Sequence, residues 1–252
     1  MLTTEYGICL LPVVPGRKEP RDASEMTTQL LFGECYAILE MQEKWILIRS
    51  LSDQYDCFID RKQHFPLSEE ELNALQNAKR AVIRSPFATC NPFGSQLLLP
   101  GGSLQVPGKL DGVAGFEVPS VPLEEELSRL AKMYIGAPYL WGGKTVLGID
   151  CSGYMQVVFR MVGIDLPRDA WQQALHGDVV DFVEESRTGD LAFFDNDAGK
   201  ITHVGMVVRG EDTRIAHASG WVRLDTLDHQ GIFNAHTGSY SHKLRTIKRI
   251  FQ

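Results

Sequence analysis

Residues 149–163 read IDCSGYMQVVFRMVG, and no other stretch limits the possible fold so tightly. Tyr154, Val157, Val158 and Met161 recur at helical spacing, Gly163 supplies the stop, and Asp150 stands where an N-cap belongs. Cys151 therefore falls in the first helical turn. There the helix dipole and the unpaired N–H groups favour negative charge, and the expectation is a thiol pKa lowered toward the thiolate. A lone cysteine is ordinarily a small buried hydrophobe. Here the pair Gly142–Gly143 lies upstream, DCSG brackets the cysteine with small and polar residues, and histidines follow downstream.

A thiolate nucleophile needs an imidazole to take its proton and return it to a leaving amine, and that imidazole needs a polar partner to orient it. His203 in ITHVGMVV and His217 in RIAHAS lie on two apolar runs joined by RGEDT, a hairpin turn. His203 is the candidate base and His217 the orienting group. His64, His176, His229, His236 and His242 lie in polar or loop-like contexts and are read as solvated. HExxH is absent and the histidines lack a carboxylate at ligand spacing, so neither a zinc centre nor any other metal or cofactor is expected.

The rest of the chain divides around this unit. From Tyr6 to Pro66, short apolar runs such as GICLLPVV, KWILIRS and YDCFID predict a small all-β barrel. PLSEEELNALQNAKRAV then turns helical, with Ser68 and Glu71 spaced as a capping box. Residues 85–120 return to strands punctuated by Gly and Pro, a second, reduced barrel or a structured linker. A new unit begins near Pro122, where Leu123, Leu127, Leu130, Ala131 and Tyr134 share one helical face and Gly136 ends the helix. DLAFFD, HVGMVVRG and TRIAHAS follow as antiparallel strands, which makes this half α+β. The expected domains are 1–66, 67–120 and 121–252.

With 44% hydrophobic and 23% charged residues, the 252-residue chain reads as a soluble globular protein. A net charge of −7 and the lack of any basic run argue against nucleic acid as a partner. No apolar run is long enough for a membrane span. The first residues, MLTTEYGICLLPVVPGRKEP, lack a basic region and are broken by prolines, so they do not read as a secretory signal. Five widely spaced cysteines without a CxxC pair predict reduced thiols and a cytoplasmic protein. Nothing in the pattern sets an oligomeric state.

The series PYLWGG, DCSGYMQVVF, LPRDAWQQ, GDLAFFD, HVGMVV and IAHAS resembles the NlpC family of bacterial cysteine peptidases, which cut peptidoglycan stem peptides. The resemblance runs from about Pro122 to the C-terminus, with the motifs in the family's order. TQLLFGE with its following tryptophan, and YDCFID, are similar to the bacterial SH3-like barrels that precede this domain in murein-peptide recycling enzymes. The resemblance implies a papain-like α+β catalytic domain behind an SH3-like barrel. Cys151 would be the nucleophile, His203 the base and His217 the third polar residue. Tyr139 would line the site near the oxyanion hole, and Asp150 and Ser152 would touch the substrate backbone. Arg168 and Asp169 would face the substrate pocket, with Asp169 pairing a free N-terminal ammonium. Many relatives have serine where this chain has Ala170. Should the barrel close over one end of the site, Glu25 in ASEMTTQ and Tyr55 in DQYDCF would bring a second acid and an aromatic wall.

The function these residues imply is hydrolysis of the bond between γ-D-glutamate and the next diamino acid in short free-amine murein peptides. Examples are L-Ala-γ-D-Glu-diaminopimelate or its lysine counterpart, cleaved through a thioester with no cofactor. Two other readings stay open. One is an acyltransferase or amidase on the same fold. The other is a non-catalytic module that binds wall peptide, against which the intact Cys151, His203 and His217 argue.

Overall fold

A computed structural model of the protein describes residues 5–90, 96–107, 115–117 and 123–251. Its first sheet has seven strands: β1 (Tyr6–Ile8), β2 (Val13–Arg17), β3 (Met26–Leu31), β4 (Cys35–Met41), β5 (Trp45–Ser50), β6 (Asp56–Asp60) and β7 (Phe65–Leu67). They run in the order β3-β2-β6-β5-β4-β1-β7, every pairing antiparallel. Val14, Leu30, Tyr36, Ile46, Ile48 and Ile59 fill its interior. Helix α1 (Glu69–Asn77) follows, and Ser68 and Glu71 exchange the reciprocal hydrogen bonds of a capping box.

The segment for which sequence allows a second barrel or a linker forms two short ribbons. β8 (Val82–Ile83) pairs with β11 (Phe116–Glu117), and β9 (Phe87–Cys90) pairs with β10 (Leu97–Pro100). Residues 91–95 and 108–114 of that segment lie outside the described residues. So do the boundary at Pro122 and the side chain of Leu123. In helix α2 (Leu123–Lys132) and just beyond it, Leu127, Leu130, Ala131 and Tyr134 are fully buried on the face that the sequence pattern predicts. Gly136 follows with a φ of 90°, a left-handed residue just past the helix.

A two-residue hairpin, β12 (Lys144–Thr145) and β13 (Gly148–Ile149), leads into helix α3 (Cys151–Arg160). All ten residues of α3 are buried. A short helix α4 (Ala170–Gln173) comes next, then β14 (Asp178–Val180), β15 (Leu191–Asp195), β16 (Ile201–Arg209), β17 (Thr213–Ser219), β18 (Trp221–Leu227), β19 (Gly231–Asn234) and β20 (Ser239–Arg249). Their order is β14-β20-β15-β16-β17-β18-β19, and β19 also pairs with β20. That extra pairing closes strands β15 to β20 into a barrel, with β14 as an outer edge strand. Closure covers the edge that β19 would otherwise expose and leaves the outer side of β14 as an edge.

Strand alternation sorts the side chains of this barrel. Phe193, Val204, Met206 and Ala216 face α2 and α3, while Ala192, Phe194, Val207, Ile215, Leu227 and Ile232 pack inside. His203, His217, Arg223 and Asp225 share the parity of the inward set. They therefore occupy barrel positions that an apolar residue would ordinarily hold.

The two halves meet around one carboxylate. Glu34, in the turn between β3 and β4, is 1% exposed. Lys144 Nζ lies 3.2 Å from its Oε1, and Arg160 at the end of α3 reaches the same oxygen. Both cations are themselves buried. Burial alone would raise the Glu34 pKa, but Arg160 and Lys144 hold it down to about 2.

Replacing Glu34 by alanine leaves Lys144 buried without its carboxylate and Arg160 with Asp165 alone, so Glu34→Ala should lower unfolding stability by about 3–5 kcal/mol in urea titrations. A loss below about 1 kcal/mol would show that Lys144 and Arg160 find other partners. Because the folded-state pKa of Glu34 lies below its ordinary 4.5, its contribution is complete above that value. It should fade as pH falls toward about 2, and the stability of Glu34→Ala should vary less across that window.

Candidate active site

Cys151 opens α3 at 5% exposure. Its N-cap Asp150 accepts the Gly153 N–H at Oδ1 (2.7 Å) and the Gly142 N–H at Oδ2 (2.8 Å). Gly142 has a φ of 80°, and a Cβ there would stand 2.4 Å from the Met26 carbonyl of the first barrel. The Gly-Gly pair thus lets the backbone pass between Asp150 and β3.

Arg168, 2% exposed, grips the same cap. Both of its terminal nitrogens bond Asp150; Nη1 also donates to Ser152 Oγ at 2.9 Å, and Nε donates to Thr28 Oγ1 of β3 at 3.1 Å. The side chains of Asp150, Ser152 and Arg168 therefore spend their hydrogen bonds on one another and on the first barrel. In this structure they hold the start of α3, with Arg168 directed inward at the buried carboxylate.

The thiol departs from the sequence expectation. Burial pushes the Cys151 pKa up to about 12, and the neighbouring Asp150 carboxylate adds to the rise. Backbone groups of Val204 and Ser152 and the charge of Arg168 oppose it without prevailing. The helix-terminus field is present, but desolvation outweighs it. The Val204 contact also places the thiol against β16, one residue from His203.

His203 is 6% exposed and His217 fully buried. His203 Nε2 lies 2.9 Å from His217 Nδ1, and His217 Nε2 lies 3.0 Å from Asp225 Oδ2. The same oxygen accepts Arg223 Nε–H at 2.7 Å. Burial, followed by His242, His217 and Arg223, sets the His203 pKa well below 6.5, so the imidazole rests neutral. His217 is lowered by burial against the opposing pull of Asp225. Asp225 stays ionised because its bonds to His217 and Arg223 outweigh its burial.

Sequence reasoning missed Asp225 and misplaced His242. His242 is not solvated: it is half-buried and stacks on His203, ring centroids 4.1 Å apart and planes 22° apart. Its strand reads SYSHKLR, a polar run without an inward signal until β19 pairs with β20. Asp225 did leave a trace, as the one acid at an inward position of WVRLDTL. His203, His217 and His242 each bring a nitrogen within 4.8 Å of the others. The stacked pair, however, turns ring faces rather than lone pairs toward each other, and His203 and His217 use facing nitrogens on one another. His203 and His217 thus form a hydrogen-bonded chain to Asp225, with His242 stacked beside it, rather than a metal cage.

The remaining predicted residues fall into two groups. Tyr139 is half-buried with its phenol in the field of Cys151, and burial followed by that thiol raises its pKa. Asp169 caps the start of α4, accepts the Trp171 indole N–H at 3.2 Å and is raised by burial. Tyr55 of the first barrel stands in the field of Asp169 and Arg168 and bonds Thr27. Asp53, which sequence reading passed over, accepts Gln156 Nε2–H at 2.9 Å, and its charge also reaches Asp169. Glu25 is more peripheral: it accepts the Trp141 indole N–H at 2.8 Å and pairs with Lys18.

Fold and site together define a papain-like α+β arrangement: a helix-borne cysteine set against a histidine chain on a closed barrel, with an SH3-like barrel in front. Residues 136–241 match the NlpC/P60 family, and residues 16–63 match the bacterial dipeptidyl-peptidase SH3 domain. The chain carries both domains. It is similar to a gamma-D-glutamyl-L-lysine dipeptidyl-peptidase of Bacillus cereus, at 35% identity over 50% of this chain and 38% of that protein. The Bacillus subtilis protein of the same name is 42% identical over 34% of this chain and 29% of its own length. The chain thus spans well under half of either relative. In fold, it superposes on a Bacillus cereus NlpC/P60 family protein with a TM-score of 0.77 and 19% identity, covering 97% of this chain and 99% of that one. An NlpC/P60 endopeptidase from Photobacterium damselae subsp. piscicida gives 0.69 at 16% identity, over 96% and 70% of the two chains.

With its pKa near 12, Cys151 should contribute no thiolate ultraviolet absorbance near neutral pH. The difference spectrum between wild type and Cys151→Ala should stay flat until strongly alkaline solution. A thiolate band persisting into mild acid would instead show a preformed ion pair with His203.

Proposed function

We propose that the protein is a cysteine peptidase that hydrolyses the γ-D-glutamyl–diamino acid bond of short murein peptides bearing a free N-terminus. The observation that carries this reading is that the Cys151 thiol, at the anchored start of α3, meets the backbone of Val204, the residue next to His203, whose ring pairs with His217. In the proposed reaction His203 takes the Cys151 proton as Sγ attacks the γ-carbonyl carbon. His203 then gives that proton to the departing amine, leaving a thioester. Water, deprotonated by the same imidazole, hydrolyses the thioester and restores the thiol. Backbone N–H groups at the start of α3 and the Tyr139 phenol, which lies in the field of Cys151, would serve as donors to the oxyanion.

The free-amine requirement rests on Asp169. Its half-buried carboxylate, with the Tyr55 ring and Asp53 from the first barrel nearby, suits an ammonium group that must leave water. Glu25 would act from farther out, through Trp141. Asp150, Ser152 and Arg168 serve by positioning the helix. Ala170, at the first residue of α4, supplies no hydroxyl where many relatives do, so the ammonium would depend more heavily on the acids. Such a site favours small released peptides over intact wall, which supports a place in recycling. The five free cysteines fit a reduced, cytoplasmic setting. The names of the two Bacillus relatives support the same bond class, with lysine or diaminopimelate as the leaving residue.

Incubation with L-Ala-γ-D-Glu-Lys and with L-Ala-γ-D-Glu-diaminopimelate, followed by mass spectrometry, should show release of L-Ala-D-Glu. Cys151→Ala should abolish it. N-acetylation of either peptide, or Asp169→Asn, should lower kcat/KM by about 100-fold, the cost of leaving one buried charge unpaired. Equal cleavage of free and acetylated peptides would remove the ammonium clamp, and cleavage of neither would favour the acyltransferase or binding-module readings.

A further inference from the structure

Two proton donors converge on one oxygen of Asp225, and that convergence decides where the protons of the histidine chain must lie. Arg223 is permanently protonated, and its Nε–H donates to Oδ2 at 2.7 Å. His217 Nε2 lies 3.0 Å from the same oxygen. An ionised carboxylate offers only lone pairs, so His217 Nε2 must carry a hydrogen. A neutral imidazole has one such hydrogen, which leaves His217 Nδ1 as an acceptor. His203 Nε2, 2.9 Å away, must then donate to it. With its single hydrogen placed there, His203 keeps a lone pair on Nδ1.

We propose that Asp225 is a positioning residue that sets the tautomers of His217 and His203 and thereby makes His203 Nδ1 the basic nitrogen of the site. The inference rests on the cysteine-peptidase reading of that site. Asp225 touches neither Cys151 nor the reacting bond; it acts through His217. The two imidazole tautomers differ little in intrinsic energy, so the partner of one ring nitrogen decides which form is present. Without an acceptor at Oδ2, His217 can carry its hydrogen on Nδ1 instead. His203 Nε2 would then have to accept, and its Nδ1–H would present a donor to a thiol that needs a base.

The surroundings favour orientation over charge as the means. Arg223 stands directly on Asp225, and its Nη1 donates to the Ser219 carbonyl at 2.6 Å while its guanidinium lies 5.2 Å from the centre of the Trp221 ring. The pair is close to neutral as a unit, so little net negative charge reaches His203. The His203 and His217 rings stand nearly perpendicular, at 85°, so that each directs an edge nitrogen to the other. His242 covers one face of His203. A ring bonded at its edge and stacked on its face has little freedom to turn.

Asp225→Ala and Asp225→Asn separate acceptor from charge, since an asparagine oxygen in the Oδ2 position still accepts from both His217 and Arg223. Nitrogen-15 spectra of the wild-type imidazoles should show Nε2–H forms for both His203 and His217. Asp225→Ala should slow iodoacetamide alkylation of Cys151 and peptide kcat by about 100-fold with KM nearly unchanged, and Asp225→Asn should recover most of that loss. An Nδ1–H form on either histidine in the wild type overturns the proposal without recourse to any variant. Undiminished alkylation in Asp225→Ala overturns it too, as does an Asp225→Asn variant as slow as Asp225→Ala. Spectra and alkylation need no peptide substrate. If they follow expectation while no murein peptide is cleaved, the tautomer assignment stands and the peptidase reading falls.

Discussion

A carboxylate with almost no access to water, Glu34, fixes how the two halves of this molecule meet. Lys144 precedes α3 and Arg160 ends it, so one side chain of the first barrel binds the segment on both sides of Cys151. Buried ion pairs of this kind give little stability beyond what apolar packing would give, because desolvation offsets most of the attraction. They are severe about geometry, however. A small slip of the barrel would strand Glu34 and Lys144 in a dry interface and leave Arg160 with Asp165 alone. The arrangement is therefore better understood as setting one docking position than as adding adhesion.

The same barrel reaches the helix start by a second route, from Thr28 through Arg168 to Asp150 and Ser152. Here burial acts in two directions. It strengthens every hydrogen bond that orients the cap, and it suppresses ionisation of the thiol that the cap presents. His203 is subject to the same suppression from the other side. The resting site is thus a neutral thiol beside a neutral imidazole. In the proposed reaction, the charge separation that sequence reasoning placed in the free protein would instead arise when substrate displaces water and a negative oxygen begins to form.

What the sequence made legible was local. The apolar spacing of α2 and α3, the Ser68–Glu71 capping box, the Asp150 N-cap and the hairpin carrying His203 and His217 all rest on neighbours within a few residues, and each appears in the structure. What it hid depends on distant pairing. His242 meets His203 only because β20 returns to pair with both β15 and β19. Arg168, expected at the substrate pocket, points inward toward a carboxylate 18 positions earlier. The direction of the Cys151 shift was misread for a related reason. The helix terminus is visible in sequence, whereas the depth to which α3 is buried is a property of the whole packing.

These distant contacts also explain why the first barrel and the catalytic half act as one unit. Thr28 holds Arg168, while Tyr55 and Asp53, farther along the same barrel, stand near Asp169. Arg168 and Asp169 are adjacent in the chain but serve opposite sides, one directed at the helix cap and the other at the proposed ammonium site. A shift of the barrel would move both together: the wall around Asp169 would open, and the clamp on Asp150 would loosen. In the proposed reading, selectivity and placement of the thiol are thus coupled through two consecutive residues. A substitution that merely widened the pocket from the barrel side would be expected to disturb the start of α3 as well.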